Sequence, residues 1–391
     1  MTSHARPRYS LVLTIALLLL FYPLFVASNV HLMLAMRADP HAVVMSETQE
    51  LPQSDYARFW YVGRHYLAAA GLASEPDKAL FLQNILSSST PPIKLWLYPP
   101  MMALLAMPFT AIPLAWSFWL WRVVSLAFGG WVLRRAGLRW PVVLAGLFSP
   151  AALHDVVGGQ NGTLTGSILA GALLLAERQP CLGGVLGGLL CIKPQTALVL
   201  PAAVLRWRFG RMVVAAAITV AVFAAASLVV LGRSAWVEYL TVARPAGIIV
   251  ADLPLKKFFS SAEITPLAML RTLHMALPTA WMLQIMVSTV CLVLVWLAWK
   301  PGCMAAEPRM AFSCCLGVLA TPYAFAYDLV AYSIGMAALF FAASNWARLP
   351  LAALWLIGGY TIVLTNNTAL VLFPAWAVCG AAMAWRMRHV A

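Results

Sequence analysis

The chain has 391 residues, of which 62% are apolar or aromatic and only 10% charged, with a mean hydropathy of +0.84. Soluble domains carry about 25% charged residues, so a soluble enzyme is excluded, as is disorder, whose composition is the reverse; long solid apolar runs without alternation exclude a β-barrel. What remains is an all-α, polytopic integral membrane helical bundle, whose 26 basic against 13 acidic residues are expected in cytoplasmic loops, where they hold the orientation.

Tyr9 to Val30 is the first run that meets the roughly 20 residues a bilayer requires. Residues 9–30 are therefore expected as the first transmembrane helix, with Arg6 and Arg8 keeping the N-terminus inside. Residues 31–96 form the one long polar stretch, expected outside. It holds Asp39, Glu47, Glu50, Asp55, Glu75 and Asp77, and long loops in compact proteins are usually functional. Within it, Asp55 to Leu67 reads as a helix lying on the membrane. Tyr56, Trp60, Gly63 and Leu67 share its apolar face, with Arg58 and His65 away from it.

Residues 97–391 read as the transmembrane bundle, and residues 1–391 as a single domain. Met101 to Ile112 and Leu114 to Leu133 are expected spans, broken at Pro113. Trp140 to Val157, Leu164 to Ala176, Cys181 to Ile192, Thr196 to Leu205 and Val213 to Leu231 follow. Gly232 to Thr272 reads as a second polar segment. Trp281 to Trp299, Met310 to Ala320, Leu329 to Ala343, Leu349 to Leu364 and Leu370 to Trp385 complete the bundle. The total is about 11–13 spanning or broken segments. Charge parity works from Arg206 onward. It fails at Arg134, Arg135 and Arg139, which two preceding spans would put outside; either one segment is re-entrant or these charges are paired. The seven cysteines show no metal spacing and read as small buried hydrophobes.

Several polar groups interrupt the apolar text: Asp55, Tyr98-Pro99-Pro100, Gly159-Gln160-Asn161-Gly162, Lys193-Pro194-Gln195, and Thr321-Pro322-Tyr323 with Tyr327-Asp328. The parity places them all at one face. Polar groups at membrane depth need partners or a watery cavity, so their convergence predicts a cavity. Ser54-Asp55-Tyr56 with the aromatic helix behind it, and the other motifs in this order, resemble glycosyltransferase family 87 from about Ser54 to Tyr332. The resemblance implies a GT-C-type membrane enzyme that takes a sugar, mannose, from a polyprenyl-phosphate-sugar donor on the extracytoplasmic side of a bacterial-type plasma membrane. The acceptor would be a lipid or glycan.

An inverting transfer of this kind needs a carboxylate to accept the acceptor's hydroxyl proton. The lipid phosphate leaves as a stable anion, so it needs only cationic or hydrogen-bonding support. The family carries its catalytic aspartate in the first loop, which implies that role for Asp55; Ser54 or Asp55 would equally serve as a helix N-cap. Arg58 and Arg64 suit phosphate contact, against headgroup snorkelling. His65 is a lone histidine beside them. Lys193 is a costly charge at membrane depth, to be met by a lipid phosphate or by Asp155 or Asp328. Gln160, Asn161 and Gln195 suit sugar hydroxyls, or capping and interhelical bonds. Tyr98, Tyr323 and Tyr327 suit stacking on a sugar, or a place in the interfacial belt. Asp328 is the second candidate carboxylate, where some family members carry a histidine. Lys256 and Lys257 suit a phosphate or anionic lipid.

No P-loop, Asp-x-Asp pair or His-Glu-x-x-His is present. No cofactor and no metal are therefore expected, and without a basic aromatic stripe no nucleic acid either. A secondary transporter or flippase is the competing reading, since broken helices with internal charges fit one too. It lacks the matching internal repeats. A non-catalytic scaffold would leave the clustered polar motifs unexplained.

Overall fold

The computed structural model describes residues 12–24, 26, 27, 30, 55–71, 77, 96–207, 210–252, 263–358 and 368–390. Ser54, Lys256, Lys257 and most of the 31–96 loop lie outside the described residues. In chain order the helices are α1 (Val12–Leu24), α2 (Asp55–Ala70), α3 (Pro100–Ala106, continued by a 3-10 turn over Met107–Ala111), α4 (Leu114–Arg135), α5 (Trp140–Leu147), α6 (Pro150–Gly158), α7 (Gly162–Leu175) and α8 (Pro180–Leu189). After two 3-10 turns, Leu190–Ile192 and Pro194–Ala197, come α9 (Val199–Trp207), α10 (Gly210–Asp252), α11 (Pro266–Thr272), α12 (Leu277–Ala298) and α13 (Ala306–Ala320). A 3-10 turn, Ala326–Leu329, leads into α14 (Val330–Ala342), and α15 (Asn345–Ile357) and α16 (Thr368–Arg386) close the chain. Among the described residues the only strand-like pairing is one isolated bridge between Glu263 and Phe325.

Proline opens α3, α6, α8 and α11, where its missing N–H has no intrahelical acceptor to lose. Gly210–Thr241 and Leu277–Ala298 are each long and apolar enough to cross a membrane, and α5 with α6, bent by 50°, makes a third when taken as one broken span. Their outer faces carry exposed Val222, Val229, Ile285 and Val290, and α4 exposes Trp116, Val123 and Trp131. A surface of this kind suits lipid, not water. This is an all-α polytopic membrane protein. Its axis is α7, buried on every side except at Leu164, with α4, α8, α13 and α14 packed around it. Gly166 on α7 lets the backbone of Val330 and Ala331 approach closely, as small residues do at membrane helix contacts.

The bundle has two chemically distinct ends. At one, Arg134 and Arg135 end α4, Arg178 reaches Gly137, Glu177 pairs with buried Arg309, and Arg139 and Arg178 both act on the Glu307 carboxyl. Arg206 lies 4.3 Å over Trp296. At the other end lie α2, the 159–162 turn and the 190–197 and 321–329 segments.

Four expectations are corrected. Met101 to Ile112 does not cross. Tyr98 lies 5.3 Å from the Phe59 ring, and the Ile112 carbonyl accepts from Trp60 Nε1 at 3.1 Å, so both ends of the segment return to adjacent residues of α2. Twelve helical residues reach only about 18 Å, against roughly 30 Å of hydrocarbon. Only α4 then separates this segment from Arg134, Arg135 and Arg139, and the parity conflict disappears. Second, α2 packs into the protein by a different face. Tyr56, Phe59, Val62, Gly63, Tyr66 and Ala69 are buried, while Leu67 is exposed. Third, Gly232 to Thr272 is not a loop throughout. The chain turns at Gly232 (φ +83°) and continues as helix to Asp252, a left-handed position that glycine adopts at little cost. Fourth, not all cysteines are buried: Cys291, Cys314 and Cys315 are, but Cys181 and Cys379 face outward, and all are free thiols.

The returning segment makes a topological prediction. In a cysteine-free background, single cysteines at Gly71 and Ile112 will react with an impermeant maleimide from the same side of sealed vesicles. A cysteine at Gly137 will react only from the other side. Opposite-side labelling of Gly71 and Ile112 would restore the crossing.

Candidate functional site

The site grows from three helix breaks. The first is the turn after α6. Gly159 ends that helix in the left-handed region (φ +67°), a common helix terminator. A side chain there would strike Phe118 and Tyr56, and one at Gly162 would strike the Tyr327 carbonyl. The turn is thus held between α2 and the 326–329 segment. Asp155 of α6 reaches forward across it. Its carboxylate accepts the Gly162 N–H at 2.7 Å and the Thr163 N–H at 2.8 Å, filling orphan donors at the start of α7. Asn161, though at the N-cap position, makes no capping bond.

Its side chain is used elsewhere. At the second break, between α8 and α9, Lys193 projects inward and is only 1% exposed. Its ammonium pairs with Asp328 and donates to Asn161 Oδ1 at 3.3 Å. The Tyr327 ring lies 4.9 Å away and the Tyr98 ring 6.0 Å away. The third break, before α14, shapes Asp328. Its Oδ2 accepts the Phe325 N–H at 3.0 Å, so the carboxylate is fixed to its own turn as well as to the lysine. Of the two carboxylates that sequence offered to Lys193, Asp328 takes the cation and Asp155 takes the helix end. Asn161 Nδ2 is buried with no hydrogen-bond partner among the described residues.

Gln160 joins through its Oε1, which accepts from Tyr98 at 3.3 Å, and its backbone oxygen accepts from Trp121 Nε1 at 3.0 Å. Beside this cluster a narrow cleft of about 40 Å³ opens between α7, α13 and α14. Its walls are mostly apolar, with Gly166, Leu169, Cys314, Val318 and Ala331, and Gln195, Thr196, Thr321, Tyr323 and Asp328 give it polar groups. Tyr98, Gln160, Asn161, Lys193, Tyr327 and Asp328 therefore form one connected group, and Gln195 and Tyr323 border it across the cleft. Asp55 begins α2, one residue before the Tyr56 that packs on Gly159. Arg58 is half-buried on α2. Arg64 is exposed with its guanidinium 5.0 Å over Trp60. His65 lies about 15 Å along α2 from Asp55, its Nδ1 2.8 Å from the Tyr61 carbonyl, and burial lowers its pKa.

A match to the model of glycosyltransferase family 87 covers residues 96–322, more than half of the chain. The chain belongs to glycosyltransferase family 87. The matched span includes Tyr98, Gln160, Asn161, Lys193 and Gln195 and stops short of Asp55, Tyr323, Tyr327 and Asp328. No curated protein and no solved structure matches the chain. As a family 87 member the protein is a membrane glycosyltransferase, which sets the transporter reading aside.

Two polar residues near this family 87 site carry no sequence motif. His154 stacks 6.3 Å from Tyr327. Glu263, 3% exposed, pairs its backbone with Phe325, next to the residues that hold Asp328. Among the described residues its Oε1 has no hydrogen-bond partner, and burial pushes its carboxyl up to about 8. Neither residue belongs to an interrupting polar cluster, so hydropathy gives them no signal.

Removing the counter-charge from Lys193 should be costly, because it leaves a buried cation alone. Asp328→Asn is expected to lose about 3–5 kcal/mol, and Lys193→Met with Asp328→Leu much less, measured by thermal unfolding in detergent. Glu263 gives a pH prediction. Its native carboxyl titrates above that of an unfolded glutamate, near 4.3, so the native state binds the extra proton. Stability is then full below about pH 4.3, falls as pH rises towards 8, and levels off above. Glu263→Gln should match the parent's melting temperature near pH 4 and exceed it at pH 8.

Proposed function

We propose that this family 87 enzyme transfers a hexose, mannose in the first instance, from a polyprenyl-phosphate-sugar donor to a lipid or glycan acceptor, with inversion and with Asp55 as general base. One observation carries the reading. The turn 159–162 touches the start of α2 at Tyr56 through Gly159 and Tyr327 of the Lys193–Asp328 cluster through Gly162, so the helix that begins at the candidate base and the cationic polar cluster pack on the same four residues.

In the proposed step the acceptor hydroxyl oxygen attacks the anomeric carbon from the side opposite the phosphate. The new C–O bond forms as the bond to the phosphate oxygen breaks. The hydroxyl proton passes to the Asp55 carboxylate, and the electron pair leaves with the polyprenyl phosphate. That anion needs positive support only, for which Arg58 and Lys193 are the candidates. Lys193 would share its ammonium between the phosphate and Asp328. Gln160, Asn161 and Gln195 would bond sugar hydroxyls, with Tyr98, Tyr323 and Tyr327 stacking beside them. The narrow cleft sets apolar wall beside Asp328 and Gln195, the pairing of apolar and polar surface that a lipid-linked head group presents. The cluster of Arg134, Arg135, Arg178 and Arg309 at the far end supports placing the site outside the plasma membrane, under the positive-inside rule.

The test uses membranes containing the full chain, supplied with radiolabelled polyprenyl-phosphate-mannose. Asp55→Asn is expected to lower transfer into lipid and polymer fractions by roughly 10²–10⁴-fold, the usual worth of a general base, with donor binding retained. Unchanged transfer removes Asp55 from the mechanism. Transfer from a nucleotide-sugar alone, with no polyprenyl-phosphate sugar formed, removes the proposed donor.

A further inference from the structure

Phe118, Trp121 and Arg122 share one face of α4, since residues three and four apart lie together on a helix. Each of them grips the 157–162 segment. Arg122 donates to the Val157 carbonyl at 2.8 Å, and Trp121 Nε1 to the Gln160 carbonyl at 3.0 Å. These carbonyls belong to the end of α6 and the turn after it, where the chain leaves the helix and needs outside donors. The Phe118 ring fills the space where a Gly159 side chain would stand. Beneath it, the Arg122 guanidinium lies 3.5 Å from the Phe118 ring and 4.8 Å from that of Trp119.

The same face also holds α2. Phe118 lies 5.7 Å from the Tyr56 ring, and Trp121 lies 5.9 Å from both Tyr56 and Phe59. One turn earlier, Ser117 binds the Tyr56 hydroxyl and donates to the Phe109 carbonyl at 2.6 Å. Arg122 is only 3% exposed, and a buried cation is an expensive way to fill space that leucine would fill. Its bonding to the chain just before the turn gives that expense a purpose.

We propose that Phe118, Trp121 and Arg122 are positioning residues for the transfer reaction. They set the spacing between the start of α2, which carries Asp55, and the turn that presents Gln160 and Asn161. Arg122 locks the turn and Trp121 couples it to α2. This rests on the proposed roles of Asp55 and Gln160–Asn161.

The test uses the full-length chain with Trp121→Phe, Arg122→Lys and Arg122→Gln. Trp121→Phe keeps the ring packing and removes one donor, so it remains informative if Arg122→Gln fails to fold. Two readouts are taken. In hydrogen exchange, Trp121→Phe and Arg122→Gln should speed exchange in peptides covering residues 55–62 and 157–165 together, and leave α12 and α13 unchanged. In transfer from radiolabelled polyprenyl-phosphate-mannose, kcat per folded molecule should fall roughly tenfold to a hundredfold, the scale of an ångström's misplacement. KM for the donor should stay within about twofold. Arg122→Lys, which keeps a charged donor, should recover most of kcat. Parent-like kcat in both Trp121→Phe and Arg122→Gln, or faster exchange in the turn alone, overturns the proposal. Asp55→Asn run in parallel separates the two claims. Unaffected transfer there sinks the base assignment, while the paired exchange change still decides whether α4 sets the spacing.

Discussion

An ammonium group cannot be left alone in a hydrocarbon interior, and Lys193 is buried in one. The demand for a counter-charge fixes how three distant parts of the chain meet. Asp328 comes from 135 residues away and Asn161 from 32 residues away, and only one alignment of α7, the 190–197 segment and the 326–329 turn satisfies the lysine with both. A buried pair adds little net stability over a good apolar core. What it supplies here is exclusivity. Sliding the 326–329 turn past the 190–197 segment by one helical turn would part Lys193 from Asp328 and strand two charges. The small residues that let these helices approach closely, such as Gly166, would by themselves tolerate several such alignments.

The breaks that create the site leave backbone groups exposed, and each is answered by a neighbour. Asp155 fills the start of α7 and α4 serves the end of α6. Gln284 Nε2 reaches the Leu319 and Ala320 carbonyls at 3.1 and 3.4 Å, and Ser288 donates to Ala320 at 2.7 Å, closing the end of α13 just before the Thr321 rim of the cleft. Irregular backbone at membrane depth is tolerated where protein surrounds it or where it lines a cavity. Here surrounding side chains take up the backbone groups that the breaks release, which positions the polar groups at the cleft. Glu263 is an exception: among the described residues one of its oxygens has no hydrogen-bond partner.

Much of this was legible in the sequence because polar residues are rare in apolar text. Gln160, Asn161, Lys193 and Asp328 stand out for that reason, and their grouping follows from the cost of burying them apart. The face of α2 was not legible. Tyr56, Trp60, Gly63 and Leu67 fit a helical stripe as well as Tyr56, Phe59, Gly63 and Tyr66 do, because aromatic and apolar residues surround that helix. Only the partners select between them: the Phe59 ring meets those of Trp96, Tyr98 and Trp121. The return of Met101 to Ile112 was within reach of arithmetic, since the run is too short to cross, but a break at Pro113 disguises a short segment as half of a long one. Arg122 and Trp121 gave no signal because each sits singly in a long helix, and their importance lies in the backbone oxygens they meet.

Taking Met101 to Ile112 out of the count has a consequence for the whole molecule. Arg6 and Arg8 precede the first helix, the long loop follows it, and α4 then carries the chain to Arg134 and Arg135. The bent pair α5–α6 returns it to the turn at Gly159, and α7 leads to Glu177 and Arg178. The broken run through Ile192 comes back to Lys193, and α9 ends at Arg206. Among the described residues Arg134, Arg135, Arg178 and Arg309 then fall at one end and the connected group around Lys193 at the other, with Arg58 and Arg64 of α2 on the site's side. A basic end of this kind follows the positive-inside rule, and on that rule the proposed outward site needs no separate argument. The buried ions obey the same division. Glu177 with Arg309 closes the basic end and Asp328 with Lys193 the other, the length of α7 apart, about 21 Å. Each pair is neutral in sum, so neither leaves an uncompensated charge inside the bundle.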